Sequence, residues 1–257
     1  FAVTVNDVDE SGGGGGGDAP YAPGPLSAQP YYVQSLVYAS GDAALRRPDG
    51  DAADAATTIT YAVLSDFPDY VNPGSMPYTA YTDAAVSFDP LSAAQIMVIG
   101  QMLSEIAELA RVEFVEVGSA GEANLAFGSY LMDKSVGGFA AYRPSSSGVT
   151  GTLSGDVWIN SRFDSYTPST SEAGGGNWGR YIIAHELGHA MGLSHPFDGA
   201  PTLPAGEDSF QYTTMSYTKF PGTNVRPVDY QLYDVAALQY LYGANTAHAS
   251  GDTVYQW

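Results

Sequence analysis

Apolar residues follow two different spacings along this chain, and each spacing predicts its own kind of element. Alternation of β-branched and aromatic residues with polar ones predicts a half-buried strand over 58–64. Shorter runs of similar character are separated by Gly, Asn and Ser. They predict four further strands over 112–117, 125–128, 138–142 and 156–160.

Apolar residues that recur every three or four positions predict helices. A short first helix is expected over 31–38. A long amphipathic helix should begin with Asp89 as its N-cap and Pro90 as its first residue. Its inward face would carry Ile96, Ile99, Leu103, Ile106 and Ala110. A last helix should begin at Asp229 and end at Gly243. Its inward face would carry Leu232, Val235, Leu238 and Leu241.

Together these elements favour an α+β fold, in which long helices pack on a five-stranded, twisted mixed sheet. Residues 1–29 contain six consecutive glycines and several prolines, which predict a flexible tail. Residues 30–257 then form one domain, with an upper part at about 30–192 and an irregular lower part at about 193–257. A cleft is expected between the two parts.

The charge balance excludes several classes of partner. Lys and Arg number 9 against 28 Asp and Glu, which gives a formal net charge of -19. Such a chain repels phosphate backbones and anionic membranes, so nucleic acid is not expected as a partner. Membrane insertion is not expected either, because no stretch of the sequence approaches the roughly 18–20 apolar residues needed to cross a bilayer. Cysteine is absent, which excludes disulfides and thiolate metal ligands.

Three of the four histidines lie in one segment, His185-Glu186-Leu187-Gly188-His189-Ala190-Met191-Gly192-Leu193-Ser194-His195. The apolar residues before it, including Ile182 and Ile183, predict that it begins in a buried helix. Residues four apart on a helix lie one above the other, so His185 and His189 would present their rings to one point. Neutral imidazole is a good zinc ligand, and three protein ligands leave a fourth position for water.

The third histidine requires the helix to stop. Gly192 tolerates the left-handed conformation that ends helices, and the chain can then bring His195 back towards the other two rings. Glu186 is adjacent to a ligand but angled away from the ligand face, where a carboxylate can accept a proton from zinc-bound water. We interpret Glu186 as a general base.

A structural interpretation stands beside this one. The short H-E-x-x-H pattern occurs by chance in many helices, and a pair of histidines is more often structural or superficial than catalytic. The extended motif fixes five positions in eleven, including the glycine that the geometry requires, and so favours a catalytic zinc site. The fourth histidine, His248, is expected at the surface.

The extended motif resembles that of the metzincins, a zincin-like fold, and further residues resemble the serralysin branch of secreted bacterial metalloproteases. Pro196 follows the third histidine, and Thr214-Met215-Ser216-Tyr217 is similar to the serralysin Met-turn. The segments 155–160 and 241–245 are also serralysin-like. The resemblance covers about residues 31–257.

The resemblance implies roles for residues outside the motif. Met215 would form a hydrophobic floor beneath the histidines, and Tyr217 would be a further zinc ligand that leaves when substrate binds. The freed phenol could then donate to the developing oxyanion. The alternative is that Tyr217 only packs and Met215 fills the core. An extended substrate would pair with an edge strand, which we place at Gly138, Phe139, Ala140, Ala141 and Tyr142.

The function that follows is zinc-dependent hydrolysis of peptide bonds by a secreted endopeptidase. The alternative is a catalytically silent binding or surface-assembly module with structural zinc. Expected partners are protein or peptide substrates, with a proteinaceous inhibitor as an option, and the chain is expected to be monomeric. The resemblance also implies calcium, mainly in a C-terminal roll of G-G-x-G-x-D repeats that this sequence does not contain, and export through a C-terminal signal. Residues 251–255 resemble only the lead-in to such a roll.

Overall fold

The computed structural model of the chain describes residues 24–40, 43–44, 56–142, 155–163, 178–222 and 225–248. The predicted tail up to residue 23 and the roll-like segment 251–255 lie outside these ranges. The helices are α1 (Tyr31–Leu36), α2 (Ala93–Leu109), α3 (Trp178–Ala190) and α4 (Leu232–Tyr242). The strands are β1 (Ala39–Ser40), β2 (Ala43–Ala44), β3 (Thr57–Val63), β4 (Val112–Glu116), β5 (Leu125–Tyr130), β6 (Gly138–Tyr142) and β7 (Gly155–Asn160).

Five strands form one mixed sheet in the order β4-β3-β5-β7-β6, and β1 and β2 form a separate ribbon. In the sheet, β4, β3, β5 and β7 run parallel to one another, whereas β6 is antiparallel to β7. Strands β5 and β7 are buried along their whole length, because helices or loops cover both faces of the sheet there. The predicted α+β fold with a five-stranded mixed sheet is confirmed, and β6 lies at one edge of the sheet.

The beginning of α2 differs from the prediction. Asp89 and Pro90 do not cap it, because Ser92 does so instead. The Ser92 hydroxyl accepts from the backbone N–H of Gln95, and the Gln95 side chain accepts from the backbone N–H of Ser92. This reciprocal pair satisfies two donors at the helix start, which one Asp cap would not do. The prediction that Ile96 faces inward is also wrong, since its side chain is 40% exposed.

The beginning of α4 also differs from the prediction. The helix begins at Leu232 and not at Asp229, because Gln231 and Asp234 form its cap. Leu232 is therefore in the first turn and 64% exposed, so its predicted inward position is wrong. Gly243 ends the helix with φ 83°, as predicted.

The main hydrophobic cluster lies between the sheet and the helices. It contains buried side chains from all four helices, and a smaller cluster around Trp158 and Tyr130 covers the other face of the sheet. Two tyrosine hydroxyls tie the α4 region to α3, because Tyr242 at the end of α4 donates to the Met191 carbonyl just after α3 and Tyr230 donates to the Ala184 carbonyl within α3. None of the helices in the described ranges combines the length and the apolar character needed to cross a membrane. The predicted boundary at residue 192 remains a prediction.

Candidate active site

The end of α3 returns the chain to the face that carries His185 and His189. Gly192 has φ 103°, a left-handed value that favours glycine, as predicted. The N–H of Leu193 then donates to the Gly188 carbonyl at 2.9 Å, which closes the end of the helix. Three residues after Gly192, the ring of His195 reaches the other two.

The three histidines meet through their Nε2 atoms. The distance between Nε2 atoms is 3.2 Å for His185 and His189, 3.0 Å for His189 and His195, and 3.3 Å for His185 and His195. A tetrahedral zinc ion with Zn–N bonds of about 2.0–2.1 Å separates its ligand nitrogens by about 3.3–3.4 Å. The spacing of the three Nε2 atoms therefore fits zinc, and the three histidines together could hold a metal ion.

The opposite nitrogen of each ring is held by an acceptor. Nδ1 of His185 lies 2.9 Å from the Thr214 carbonyl, and Nδ1 of His189 lies 2.8 Å from the Leu193 carbonyl. Nδ1 of His195 lies 2.8 Å from a carboxylate oxygen of Asp198. Because these acceptors require a proton on Nδ1, the lone pair of each neutral ring is on Nε2, where a metal binds.

Burial also favours the metal-binding form of two of the rings. It lowers the pKa of His185 to about 4, although the hydrogen bond to Thr214 acts in the opposite direction. It lowers the pKa of His189 well below its usual value as well, with the neighbouring histidines acting in the same direction. Both rings are therefore neutral near pH 7, which is the form that zinc requires.

Glu186 lies beside this triangle with 8% of its surface exposed. Burial raises the pKa of its carboxyl to about 8, and a hydrogen bond from the backbone N–H of Ala140 acts in the opposite direction. Strand β6 can approach this closely because Gly138 lacks a side chain. A Cβ at that position would lie 2.7 Å from the Trp158 carbonyl oxygen and 3.0 Å from Cγ of Glu186.

Met215 lies beneath the helix that carries the ligands and is fully buried. A Cβ at Gly188 would lie 2.7 Å from its sulfur, so the sulfur occupies the space that a side chain there would fill. The resemblance to a Met-turn thus corresponds to direct contact between Met215 and α3.

Asp234 holds the Met215 segment in place, a role that the sequence analysis does not predict. It is fully buried and accepts from the Thr213 hydroxyl at 2.6 Å and from the Thr214 N–H at 2.7 Å. The Thr214 carbonyl in turn orients His185. The signal that could have revealed it is the carboxylate at the third position of a helix, where it accepts from the Gln231 N–H at 2.8 Å.

Tyr217 lies at the open side of the triangle. Its hydroxyl is 2.7 Å from Nε2 of His195, and 60% of the residue is exposed. Burial of the hydroxyl raises its pKa to about 12, so the phenol is protonated in the absence of a metal. A group so placed can approach an ion at the triangle, and its exposure leaves room for it to move.

These groups line one cleft of about 690 Å³. The three histidines, Glu186 and Tyr217 form its base, and Gly138, Phe139 and Ala140 of β6 form one wall. Strand β6 continues as Ala141 and Tyr142. The remaining wall residues include Trp178, Lys219 and Arg226. His248 is exposed and lies 3.8 Å from Glu108, apart from the cleft, as predicted.

A mixed sheet, a helix with two histidines one turn apart and a third histidine after a glycine turn define a zincin-like metal-site protein. Comparisons with known proteins narrow this class, although no family model matches the chain. The chain is 35% identical to Metalloprotease AprA of Pseudomonas entomophila over 223 residues, which cover 79% of this chain and 42% of that protein.

Two relatives from Dickeya chrysanthemi give the same result. Identity is 37% to Serralysin A over 189 residues, covering 67% of this chain and 38% of that protein. Identity to Serralysin B is 30% over 259 residues, which cover 90% of this chain and 48% of that protein. The chain spans less than half the length of these relatives. By these similarities it belongs to the serralysin-type metalloproteases.

Proposed function

We propose that this chain is the catalytic domain of a secreted, zinc-dependent endopeptidase that hydrolyses peptide bonds in extended protein substrates. The observation that carries this proposal is the triangle of three Nε2 atoms with one buried carboxylate beside it. A purely structural zinc site has no use for a base next to an open position. The relatives named as metalloproteases support the proposal and do not favour a silent binding or surface-assembly module.

In the proposed mechanism, His185, His189 and His195 would hold a zinc ion, which would supply Lewis acidity and lower the pKa of water towards about 7. Glu186 removes a proton from the attacking water and delivers it to the leaving amine. Its buried position and its raised pKa suit a group that must first take up a proton and then release it.

Tyr217 has two roles in this proposal. It would be a further ligand before substrate arrives, which is supported by the 2.7 Å distance between its hydroxyl and Nε2 of His195. Its hydroxyl then donates to the oxygen of the scissile carbonyl as negative charge develops there. The exposure of the residue supports a movement between these two positions.

The substrate would lie extended along β6, the edge strand of the sheet, and add one more strand to it. Three residues of β6 line the cleft beside Glu186, which would bring the paired backbone to the metal site. Main-chain pairing is independent of side chains and would give broad specificity. Calcium binding, a proteinaceous inhibitor and export to the extracellular space belong to the proposal through the family.

Replacement of Glu186 by Gln tests the proposed base, because it keeps the size of the side chain and removes proton transfer. We expect the variant to bind one zinc per chain with unchanged melting temperature and to lose at least about 100-fold in kcat. Glu113→Gln is the matched control, since Glu113 is an exposed carboxylate on β4 at the other edge of the sheet. Full activity of Glu186→Gln with normal zinc content would contradict the mechanism.

A further inference from the structure

Cations outnumber carboxylates among the described residues that line the cleft, in contrast to the protein as a whole. The chain has 9 Lys and Arg against 28 Asp and Glu. Two of the nine cations, Lys219 and Arg226, line the cleft, whereas Glu186 is the only carboxylate among the described residues that line it. We propose that Lys219 and Arg226 select substrates with an acidic side chain close to the scissile bond. This inference rests on the proposed peptidase function.

The guanidinium of Arg226 is held at a defined place. Its Cζ lies 4.3 Å from the centre of the Trp178 ring, a cation–π contact that holds the guanidinium over the ring. Trp178 also lines the cleft and is the first residue of α3, the helix that carries the metal ligands. A planar guanidinium can bind a carboxylate through two parallel hydrogen bonds, which a point charge cannot do.

The second cation lies on the segment that follows the site tyrosine. Lys219 is two residues after Tyr217 and is exposed. Because both Lys219 and Arg226 line the cleft, a carboxylate that enters it meets positive charge from two positions of the irregular C-terminal region. Lys219 supplies a flexible charge and Arg226 supplies a fixed geometry.

The length of α3 gives the distance between Arg226, which lies on Trp178, and the metal site at His185. Trp178 and His185 are seven residues apart on α3, which is about 10 Å along the axis. An extended substrate covers that distance in about three residues. The acidic side chain should therefore lie within about three positions of the scissile bond, on the side nearest the beginning of α3.

The overall negative charge does not remove this preference. At physiological ionic strength charges are screened over about 8 Å, so most of the distant acidic surface acts weakly inside the cleft. A carboxylate next to Arg226 and Lys219 feels these two groups most strongly. The preference should weaken as salt rises, because part of the cleft is open to solvent.

Pairs of peptides that differ only by Glu or Gln at one position test the proposal. The acidic position is moved through the three residues on each side of one scissile bond, and kcat/KM is measured for each pair with the zinc-loaded protein. We expect kcat/KM to favour Glu over Gln about fivefold at one position or at two adjacent positions, all on one side of the bond. Arg226→Gln and Lys219→Gln should each reduce this ratio, and Arg226→Glu should invert it.

Arg162→Gln is the control for loss of one positive charge, since Arg162 is exposed and is not among the residues that line the cleft. This variant should retain the ratio. The salt dependence of the wild-type ratio tests the proposal even if a variant folds poorly. Equal kcat/KM for Glu and Gln at every position, or a ratio that neither cleft variant changes, would overturn the specificity proposal alone. Failure to cut any peptide would instead overturn the peptidase function and, with it, this inference.

Discussion

Asp234 offers a sharp test of how the metal site is supported, because it lies away from the cleft. Its carboxylate accepts three hydrogen bonds from Thr213, Thr214 and Gln231, at 2.6, 2.7 and 2.8 Å. Two of the donors belong to the segment that precedes Met215, and the third belongs to the start of α4. Replacement of Asp234 by Ala removes both carboxylate oxygens, and with them all three hydrogen bonds, at a fully buried position.

The expected loss of stability follows from the donors left behind. The Thr213 hydroxyl can rotate, whereas the N–H of the buried Thr214 and the N–H of the half-buried Gln231 keep their positions and lose their acceptor. Each N–H that loses its acceptor costs about 1–3 kcal/mol, so the loss of both should lower the free energy of unfolding by about 2–6 kcal/mol. For a domain of this size that corresponds to a melting temperature about 10 °C lower.

Metal affinity should fall as well. The Thr214 carbonyl fixes the ring of His185, and an unfixed Thr214 segment would let that ring turn. Loss of such an orienting contact weakens metal binding by about 10-fold or more. Zinc titration of Asp234→Ala against a competing chelator measures this effect.

The isosteric change Asp234→Asn is the matched control. Its amide oxygen can accept from both N–H groups, and its NH₂ group can donate to the rotated Thr213 hydroxyl. In thermal unfolding of the zinc-free proteins, the melting temperature of Asp234→Asn should therefore be close to that of wild type, and the melting temperature of Asp234→Ala should be far lower. A melting temperature of Asp234→Ala within about 2 °C of wild type would refute the argument, because it would imply a loss below about 1 kcal/mol.

Three further predictions concern single positions. Gly138→Ala places a Cβ against the Trp158 carbonyl and Glu186. Peptide hydrolysis should therefore fall by about 100-fold while zinc content is unchanged. A normal kcat/KM would contradict the need for this close approach. Gly100 lies on the exposed face of α2, and an added Cβ there would meet nothing within 4 Å. Gly100→Ala should therefore raise the free energy of unfolding by about 0.5–1 kcal/mol without changing activity. A lower stability of this variant in urea would contradict the prediction. Burial and the nearby charge of Asp229 raise the pKa of Glu105 to about 7, so the folded state keeps a proton that the unfolded state loses between about pH 4.5 and 7. The free energy of unfolding should therefore fall as pH rises through that window, and the zinc-free Glu105→Gln variant should gain stability relative to wild type over the same range; a constant difference between the two proteins would exclude this effect.

The parts of the site that could be predicted from sequence depend on local geometry. Helical spacing alone places His185 and His189 together, and the conformational freedom of Gly192 accounts for the return of His195. The five strands of the main sheet were predictable for a similar reason, because their apolar runs match burial in the sheet, whereas the short strands β1 and β2 were not predicted. The errors occurred at helix ends, where Ser92 offers a better cap than Asp89 and where α4 begins three residues late.

The parts that could not be predicted depend on contacts between distant segments. Asp234 approaches Thr213 from 21 residues away, and the Ala140 N–H meets Glu186 only because the sheet packs on α3. Neither contact is predicted by a local sequence pattern. The same holds for Arg226 over Trp178, since the fold alone brings these two residues to one wall of the cleft.

The most direct test of the central claim is to incubate an unfolded protein with this chain and identify the new termini by mass spectrometry. The zinc-loaded chain should cut internal peptide bonds, a chelator should abolish the cuts, and added zinc should restore them. Because His185, His189 and His195 are the proposed ligands, His185→Ala should behave like the chelated protein. Identical cleavage with and without chelator, or no cleavage by the chain loaded with one zinc, would contradict the account.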